Sequence, residues 1–573
     1  MRILDFYPTN CKNCYKCVRN CSVKAIKMID DQAQIVEEKC IACGSCFQVC
    51  PQNARNIHSD LDNVSDAFKQ GKKIIVTIAP SYLGVYEEPY KLISVLKYLG
   101  ASLVEETAIG AVKVTELYKK YIESTDSSSL ITTCCPSVNM MIQTYYPDLI
   151  KYMLPIDSPM IAHCKMIRKR HGEDAYIVFL GPCISKKCEA YGYQISGIID
   201  GVISFEELDK MLETRNIDIS KFEESLPDLQ GNYTGKKYPL ENGILSGMKD
   251  TITSNKFTPL SVSGIDNLRG AFEALENGDL DNVLIEANSC IGGCLGGPAV
   301  PKKSKNVFVR KTKTRTEIRP FKNINIKNYT DEEKDLDYVR NFRNKQYVHP
   351  VYSEEEILDV LKKTGKHSKS DELNCGACGY DTCRDKAISV LEGLSHPQMC
   401  MPYMRSEAEK ISNIYFQYSP SIIVIVDTDL NILDLNPVGE KAFNTKINSV
   451  RNKNLSTLMP VDDFKEVLTT EENTVGRKLT LDKYGIIVFE RIIYLPKNKI
   501  LFGILNDITD DEMKKEQIIN FKLNTLETAD RVIEKQMRVA QEIAGLLGET
   551  TAETKAALLK LKKVVLEESE NNG

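Results

Sequence analysis

Beyond Cys400 the chain has no cysteine, and beyond His396 it has no histidine. The last third therefore lacks the imidazole for histidine-ligated haem or for the phosphate acceptor of a histidine kinase, and the thiol for a cysteinyl-flavin adduct. No glycine-rich nucleotide loop is evident either, so any signal raised here has to pass to a separate protein. Long apolar runs are also missing. The best candidate, Ser421 to Val426, is strand length, far below the roughly 20 residues of a membrane helix. Met1 to Thr9 has no basic stretch leading into an apolar run and no twin arginine, so a cytoplasmic protein is expected. Charge of one sign is barely in excess, with a net of -5, which gives no general pull toward nucleic acid or anionic membrane.

The chain does have 19 cysteines within 573 residues, gathered in tight C-x2-C groups. In a long chain without an export signal this pattern indicates metal ligation rather than disulfides. Cys11, Cys14, Cys17 and Cys21 follow C-x2-C-x2-C-x3-C, and Cys40, Cys43, Cys46 and Cys50 repeat it, ending in Pro51. Both runs match those of bacterial two-cluster ferredoxins, in which three close thiolates wrap a cubane and the fourth comes from the other run. That assigns one 4Fe-4S cluster to Cys11, Cys14, Cys17 and Cys50, and another to Cys40, Cys43, Cys46 and Cys21. Zinc is the alternative, disfavoured by eight thiolates at this spacing. Ser22 replaces a proline that ligates nothing.

From Lys73 onward, apolar strands such as Ile74 to Ala79 and Ile177 to Leu180 alternate with helical stretches at Tyr90 to Leu99, Val112 to Ile122 and Asn267 to Leu275. This order predicts an α/β domain with largely parallel sheets, whose ligands sit at the carboxyl ends of strands. Cysteines occur just after strands in three loops: Thr132-Thr133-Cys134-Cys135-Pro136, Gly181-Pro182-Cys183 with Lys186 and Glu189, and Glu286-Ala287-Asn288-Ser289-Cys290 with Cys294 and Gly296-Gly297-Pro298. Together, in this order, the loops resemble the active-site segments of FeFe hydrogenases, and the resemblance covers roughly residues 1 to 300. It implies that Cys135, Cys183, Cys290 and Cys294 hold a cubane. Cys294 also bridges to a two-iron unit carrying CO, cyanide and a dithiolate, the whole forming an H-cluster. Lys186 would bond a cyanide, helped by Ala79-Pro80-Ser81. Cys134 matches the proton-relay cysteine, with a thiol pKa near neutrality suited to the task, and Ser158 and Glu106 fall where the next relay members stand. The chain departs from the family at Ile109, where a second glutamate is usual, at Gly181 and Asn288 in place of methionines, and at Val138 in place of tryptophan. These changes imply a lower turnover or shifted potentials. Cys164 and Cys188 are expected to be small buried residues, and the basic stretch from Lys302 to Arg315 a solvated face rather than a ferredoxin dock.

Cys375, Cys378, Cys383 and Cys400 look like a further four-Cys 4Fe-4S domain, with zinc as the alternative; His396 is not needed to complete the shell. After it, strands at Ile422 to Asp427, Ile432 to Asn436, Gly476 to Leu481, Ile486 to Tyr494 and Ile500 to Asn506, with a short helix around Val438 to Phe443, predict an α+β domain with antiparallel strands. The phrases Ser421 to Asp427 and Asn506 to Thr509 resemble a PAS sensor domain. Small or apolar residues then recur at heptad spacing through Leu523, Leu526, Ile533, Met537, Ala540, Ala544, Leu547, Thr551, Thr554, Leu558, Leu561 and Val565. A coiled coil or helical bundle, and hence a homodimer, is expected. The alternative is that Gly545, Gly548 and the capping-box candidate Thr550 to Glu553 end one helix and start another.

The expected fold is multidomain, α/β plus α+β. It comprises a two-cluster ferredoxin-like domain over 1–62, an FeFe-hydrogenase-like α/β catalytic domain over 63–325 and a connector with the small four-Cys iron-sulfur domain over 326–404. A PAS-like domain over 405–512 and a C-terminal helical or coiled-coil segment over 513–573 follow. The resemblance implies three 4Fe-4S clusters plus an H-cluster, with hydrogen and protons as substrates. The leading reading is a hydrogen sensor reporting to a separate signalling kinase or phosphatase. A bulk hydrogenase exchanging electrons with ferredoxin or another redox carrier is the alternative, and an iron-sulfur scaffold without the two-iron unit is a third.

Overall fold

The computed structural model describes residues 3–6, 10–323, 335–474, 476–544, 556–557 and 559–560. The chain divides into two compact units, Met1–Met404 and Arg405–Gly573, so the front end, the central domain and the third cysteine group all lie in the first.

At the front, strand Leu4–Phe6 pairs antiparallel with Arg55–Ile57, and Ile26–Ile29 pairs with Gln32–Ile35. Each cysteine run curls through left-handed residues, Asn13 and Tyr15 in one and Ala42 and Gly44 in the other, into a one-turn helix at Lys16–Arg19 or Ser45–Gln48. Cys17, Cys21 and Cys46 are buried by it, whereas Cys14 is exposed. The strands close beneath them on Val18, Ile26, Met28 and Ile35.

In the central domain one parallel sheet runs in the order Leu103–Glu106, Ile74–Ile78, Tyr176–Gly181, Gly201–Ser204, and a second in the order Thr258–Ser263, Val283–Asn288, Leu130–Ile131. Ile74–Ile78 and Val283–Asn288 are buried at every position, as unbroken apolar strands covered on both faces must be. The crossover helices run longer than their apolar cores. Pro89 supplies the first position of Pro89–Tyr98, and Ala108–Ser124 begins four residues before the predicted Val112 because Ala108 and Gly110 pack closely inside the unit. The strands Leu130–Ile131, Tyr176–Gly181 and Val283–Asn288 each deliver a cysteine loop from their carboxyl ends.

The second unit is one antiparallel five-stranded sheet, ordered Ile432–Leu435, Ile422–Asp427, Ile500–Asp507, Ile486–Leu495, Arg477–Leu481. Ile422, Val424 and Val426 alternate into its core. A 36-residue helix, Thr509–Ala544, follows directly. Along it Leu526, Ile533, Met537 and Ala540 are half-buried, whereas Ile519 and Leu523 are exposed. The predicted seam at Leu547, Thr551, Thr554, Leu558, Leu561 and Val565, with Gly545, Gly548 and the capping box Thr550 to Glu553, lies outside the described residues.

Candidate functional site

Four loops of the central domain meet at one cavity. Cys135, Cys183, Cys290 and Cys294 line it, with Cys134, Lys186, Pro80 and Ser81. None of these cysteines is in a disulfide. Burial raises the pKa of Cys290 well above its ordinary value, and the neighbouring charges of Cys183, Cys135 and Cys294 push the same way. The four sulfurs thus share one enclosure, although Cys135 and Cys290 lie more than 150 residues apart in sequence.

The donor set fits an iron-sulfur cluster. Among the described residues no three His, Cys, Asp or Glu side chains converge closely enough for a single ion, so the four thiols border a space rather than a point. Ser81 Oγ, 1% exposed, has no hydrogen-bond partner although it borders the cavity. An orphaned buried hydroxyl is costly, and it fits a cavity built for a group that accepts hydrogen bonds. Lys186 is the second donor there. Its Nζ donates to Glu189 Oε2 at 2.7 Å and to Cys134 O at 3.3 Å. Burial works against its charge, but Glu189 more than offsets this and the lysine pKa is raised.

The cavity's departures from the resembling pattern are structurally compensated. At Gly181 a Cβ would meet the Phe179 ring at 2.7 and 2.8 Å and Ala79 Cβ at 3.1 Å, so Phe179 occupies the space a methionine would need. Asn288 Nδ2 donates to Glu286 Oε1 at 3.2 Å, and Val138 is fully buried.

Cys134 borders the cavity, with its Sγ 3.3 Å from Tyr118 Oη. The sequence reading expects a pKa near neutrality, and here the structure corrects it: burial pushes the thiol up to about 12 despite Tyr118 and Lys186, so it holds its proton at neutral pH. The expected succession of Ser158 and Glu106 is also altered. Ser158 Oγ donates to Glu189 Oε2 at 3.0 Å, which joins it to Lys186. Glu106 accepts from Tyr82 Oη and from Gly231 N, each at 2.9 Å, and pairs with Lys236, both side chains being 0% exposed. Ile109, where a second glutamate is usual, packs in an apolar core with Val114 and Tyr118. Sequence reasoning missed Tyr118, Phe179 and Lys236. Tyr118 falls within the predicted helical stretch and Phe179 within a predicted strand, but neither carries a motif that points to the cavity.

The other thiols group as follows. The pKa of Cys46 is raised by burial and further by Cys43, Cys21 and Cys40, while the charge of Arg55 opposes the rise. Cys17 is raised by burial, with Arg55 opposing and Cys11 adding to the rise. In the third group Lys366 Nζ lies 3.3 Å from Cys400 Sγ, and Cys378 and Cys400 both act on the buried Lys386. Cys164 is buried in the main apolar core, whereas Cys188 packs among the front-end residues. Three of the seven cations in the basic stretch have acidic partners: Lys303 pairs with Asp209 at 2.9 Å and Lys311 with Glu241 at 2.5 Å, and Lys305 lies 3.3 Å from Glu87.

Residues 72–298 match the C-terminal domain of the iron-only hydrogenase large subunit, residues 33–56 a 4Fe-4S binding domain, and residues 371–402 a putative Fe-S cluster family. Iron hydrogenase 1 of Clostridium pasteurianum is 26% identical over 53% of this chain and 67% of its own length. The periplasmic [Fe] hydrogenase large subunit of Nitratidesulfovibrio vulgaris is 26% identical over 43% of this chain and 74% of its own. A solved FeFe hydrogenase, HydA1 of Chlamydomonas reinhardtii, is 17% identical, with a TM-score of 0.36 over 45% of this chain and 88% of that one. Among the described residues no helix is long and apolar enough to cross a membrane.

Proposed function

From a hydrogenase-type iron-sulfur protein with homology to an H-cluster domain, we propose a hydrogen sensor of low turnover that reports to a separate signalling protein. The observation that carries the hydrogen chemistry is the single cavity that four distant thiols share with Lys186 and Ser81. Cys135, Cys183, Cys290 and Cys294 would hold the cubane. When bound, the two-iron unit supplies the open metal position at which hydrogen is split. The chain's own part is to hold and position that unit. Lys186, kept charged by Glu189, presents a cation to anionic ligands, and Ser81 offers its unpaired hydroxyl beside it. Cys134 holds a proton at the cavity wall, supported by Tyr118. Phe179, Pro80 and the other apolar residues of the lining keep bulk water out.

The sensor reading draws support from the apolar Ile109 and the sequestered Glu106, which leave the expected proton route poorly supplied. It is supported too by the second unit: an antiparallel α+β sheet of the kind the PAS resemblance implies, leading into a long helix with exposed apolar residues suited to a dimer or a partner. The second reading is a bulk hydrogenase, favoured by Cys14, whose exposure offers a soluble redox carrier access to the front end. Infrared bands from bound CO and cyanide after maturation test the hydrogen chemistry, and their absence leaves only the scaffold. A specific activity equal to that of ordinary catalytic hydrogenases, or a partner kinase or phosphatase indifferent to hydrogen, removes the sensor.

A further inference from the structure

The third cysteine group is built into the front end. Gly379, next to Cys378, has a φ of +93°, and a Cβ there would meet Arg19 N at 3.0 Å and Arg19 Cα at 3.1 Å, within the first cysteine run. Around this contact Lys24 Nζ donates to Gly379 O at 2.7 Å and Met28 N donates to Leu394 O at 2.9 Å. A buried ion pair, Lys39 with Glu392 at 2.6 Å, closes the seam. Tyr380 and Met399 share an apolar core with Cys17, Cys21 and Cys46, and Cys378 packs against it.

A second seam joins the front end to the central cavity. Gly44, beside Cys43, has a φ of +78°, and a Cβ there would meet Pro298 at 2.6 Å and Ile184 at 2.8 Å, in the loops that carry Cys294 and Cys183. Cys43 and Cys135 pack against the same apolar cluster, which includes Ile41. Cys188 lies near enough to Cys40 and to Cys183 to interact with both charges. The first seam touches both front-end groups, through Cys17 in one and Cys21 and Cys46 in the other, but only the group of Cys21, Cys40, Cys43 and Cys46 also meets the second seam.

We propose that the cluster held by Cys21, Cys40, Cys43 and Cys46 is a three-way electron junction: to the central cavity across Gly44 and Pro298, to the outer front-end cluster, and to the third cluster across Gly379 and Arg19. This rests on the assignment of clusters to these cysteines and not on the hydrogen chemistry. Electron tunnelling falls steeply with distance, so directly packed ligand loops define the route. Each step moves one electron from a reduced cluster to an oxidised one, with no bond formed or broken and no proton required. The electrons come from dithionite in the test below, and from dihydrogen in the function proposed above.

The test uses the full chain reconstituted with iron and sulfide, without the two-iron unit, reduced with dithionite and examined by electron paramagnetic resonance. The fully reduced wild-type spectrum is expected to show spin coupling, so that it differs from the sum of independent signals. Cys378→Ser, which removes the third cluster, should make the junction signal saturate at several-fold lower microwave power. Gly379→Ala keeps every cysteine but forces the seam apart, and it should weaken the coupling at unchanged iron content. It carries the comparison if Cys378→Ser loses iron from the front end as well. A wild-type spectrum that is simply additive overturns the junction, whatever the variants do. Coupling that both variants weaken keeps the junction even if a separately matured sample shows no infrared CO and cyanide bands, which ends the hydrogen chemistry alone; coupling that neither variant changes belongs to the front-end pair and ends the junction.

Discussion

Lys236→Met tests whether Glu106 is a structural anion. The carboxylate is fully buried and held by three donors: Tyr82 Oη at 2.9 Å, Gly231 N at 2.9 Å and the Lys236 ammonium. Methionine keeps most of the lysine volume but removes the charge, leaving a buried carboxylate with two neutral donors. An uncompensated buried charge of this kind costs about 3–5 kcal/mol. For a unit as large as Met1–Met404 the shift is about 1 °C per kcal/mol, so thermal unfolding should move down by roughly 5 °C. The chain has no tryptophan, so unfolding is followed by tyrosine fluorescence and circular dichroism. Adding Glu106→Gln removes the stranded charge while an amide still accepts from Tyr82, so the double variant should recover all but about 1–2 kcal/mol. A single variant within about 1 kcal/mol of wild type, or a double variant no better than the single, would refute the reasoning.

Cys134→Ser should leave the cluster spectra unchanged and cut turnover severely, because a serine hydroxyl is a far weaker acid than the thiol; near-normal activity rejects the relay role. Gly181→Met should destabilise the first unit by roughly 1–3 kcal/mol through overpacking against Phe179, and Phe179→Ala should relieve it; a neutral single variant measured by thermal unfolding contradicts the steric account. In the second unit, burial and the neighbouring Asp463 raise Glu490 to about 8. Below about pH 4.5 the carboxyl is protonated in both states, and between there and about pH 8 only the unfolded chain loses the proton, so stability should fall across that window by on the order of 4 kcal/mol. Glu490→Gln should flatten that slope in denaturant titrations; an unchanged slope assigns it to other groups.

What the sequence discloses is what repeats at short range. Cysteine spacing gives the ligand groups, unbroken apolar strands give the parallel sheets, and alternation at Ile422, Val424 and Val426 gives the antiparallel one. The central thiols can be read from sequence because strand ends in such folds converge, so three loops need no knowledge of one another. Contacts set by packing stay hidden. Glu106 and Lys236 are 130 residues apart, and no local pattern marks either as the other's partner. The joining of the third cysteine group to the front end depends on pairs such as Lys39 with Glu392, separated by 353 positions. The pKa of Cys134 escapes for a related reason: the residue type sets the starting value, but burial in a particular cavity moves it.

Charge placement along the cysteine groups follows one rule. The central group has Lys186, Cys17 and Cys46 share Arg55, and the third group has both Lys366 and Lys386. A buried cation favours the more negative, reduced form of a cluster and raises its potential. Burial pushes Lys386 down to about 8, which still leaves it charged at neutral pH. Lys386→Met should therefore lower the third cluster's potential by on the order of tens of millivolts at pH 7, with the front-end potentials unchanged. By pH 9.5 the wild-type lysine is neutral and the difference between the two proteins should largely vanish. Redox titrations at the two pH values decide it: equal potentials at pH 7, or a difference that persists undiminished at pH 9.5, would show that Lys386 acts through packing and not through its charge.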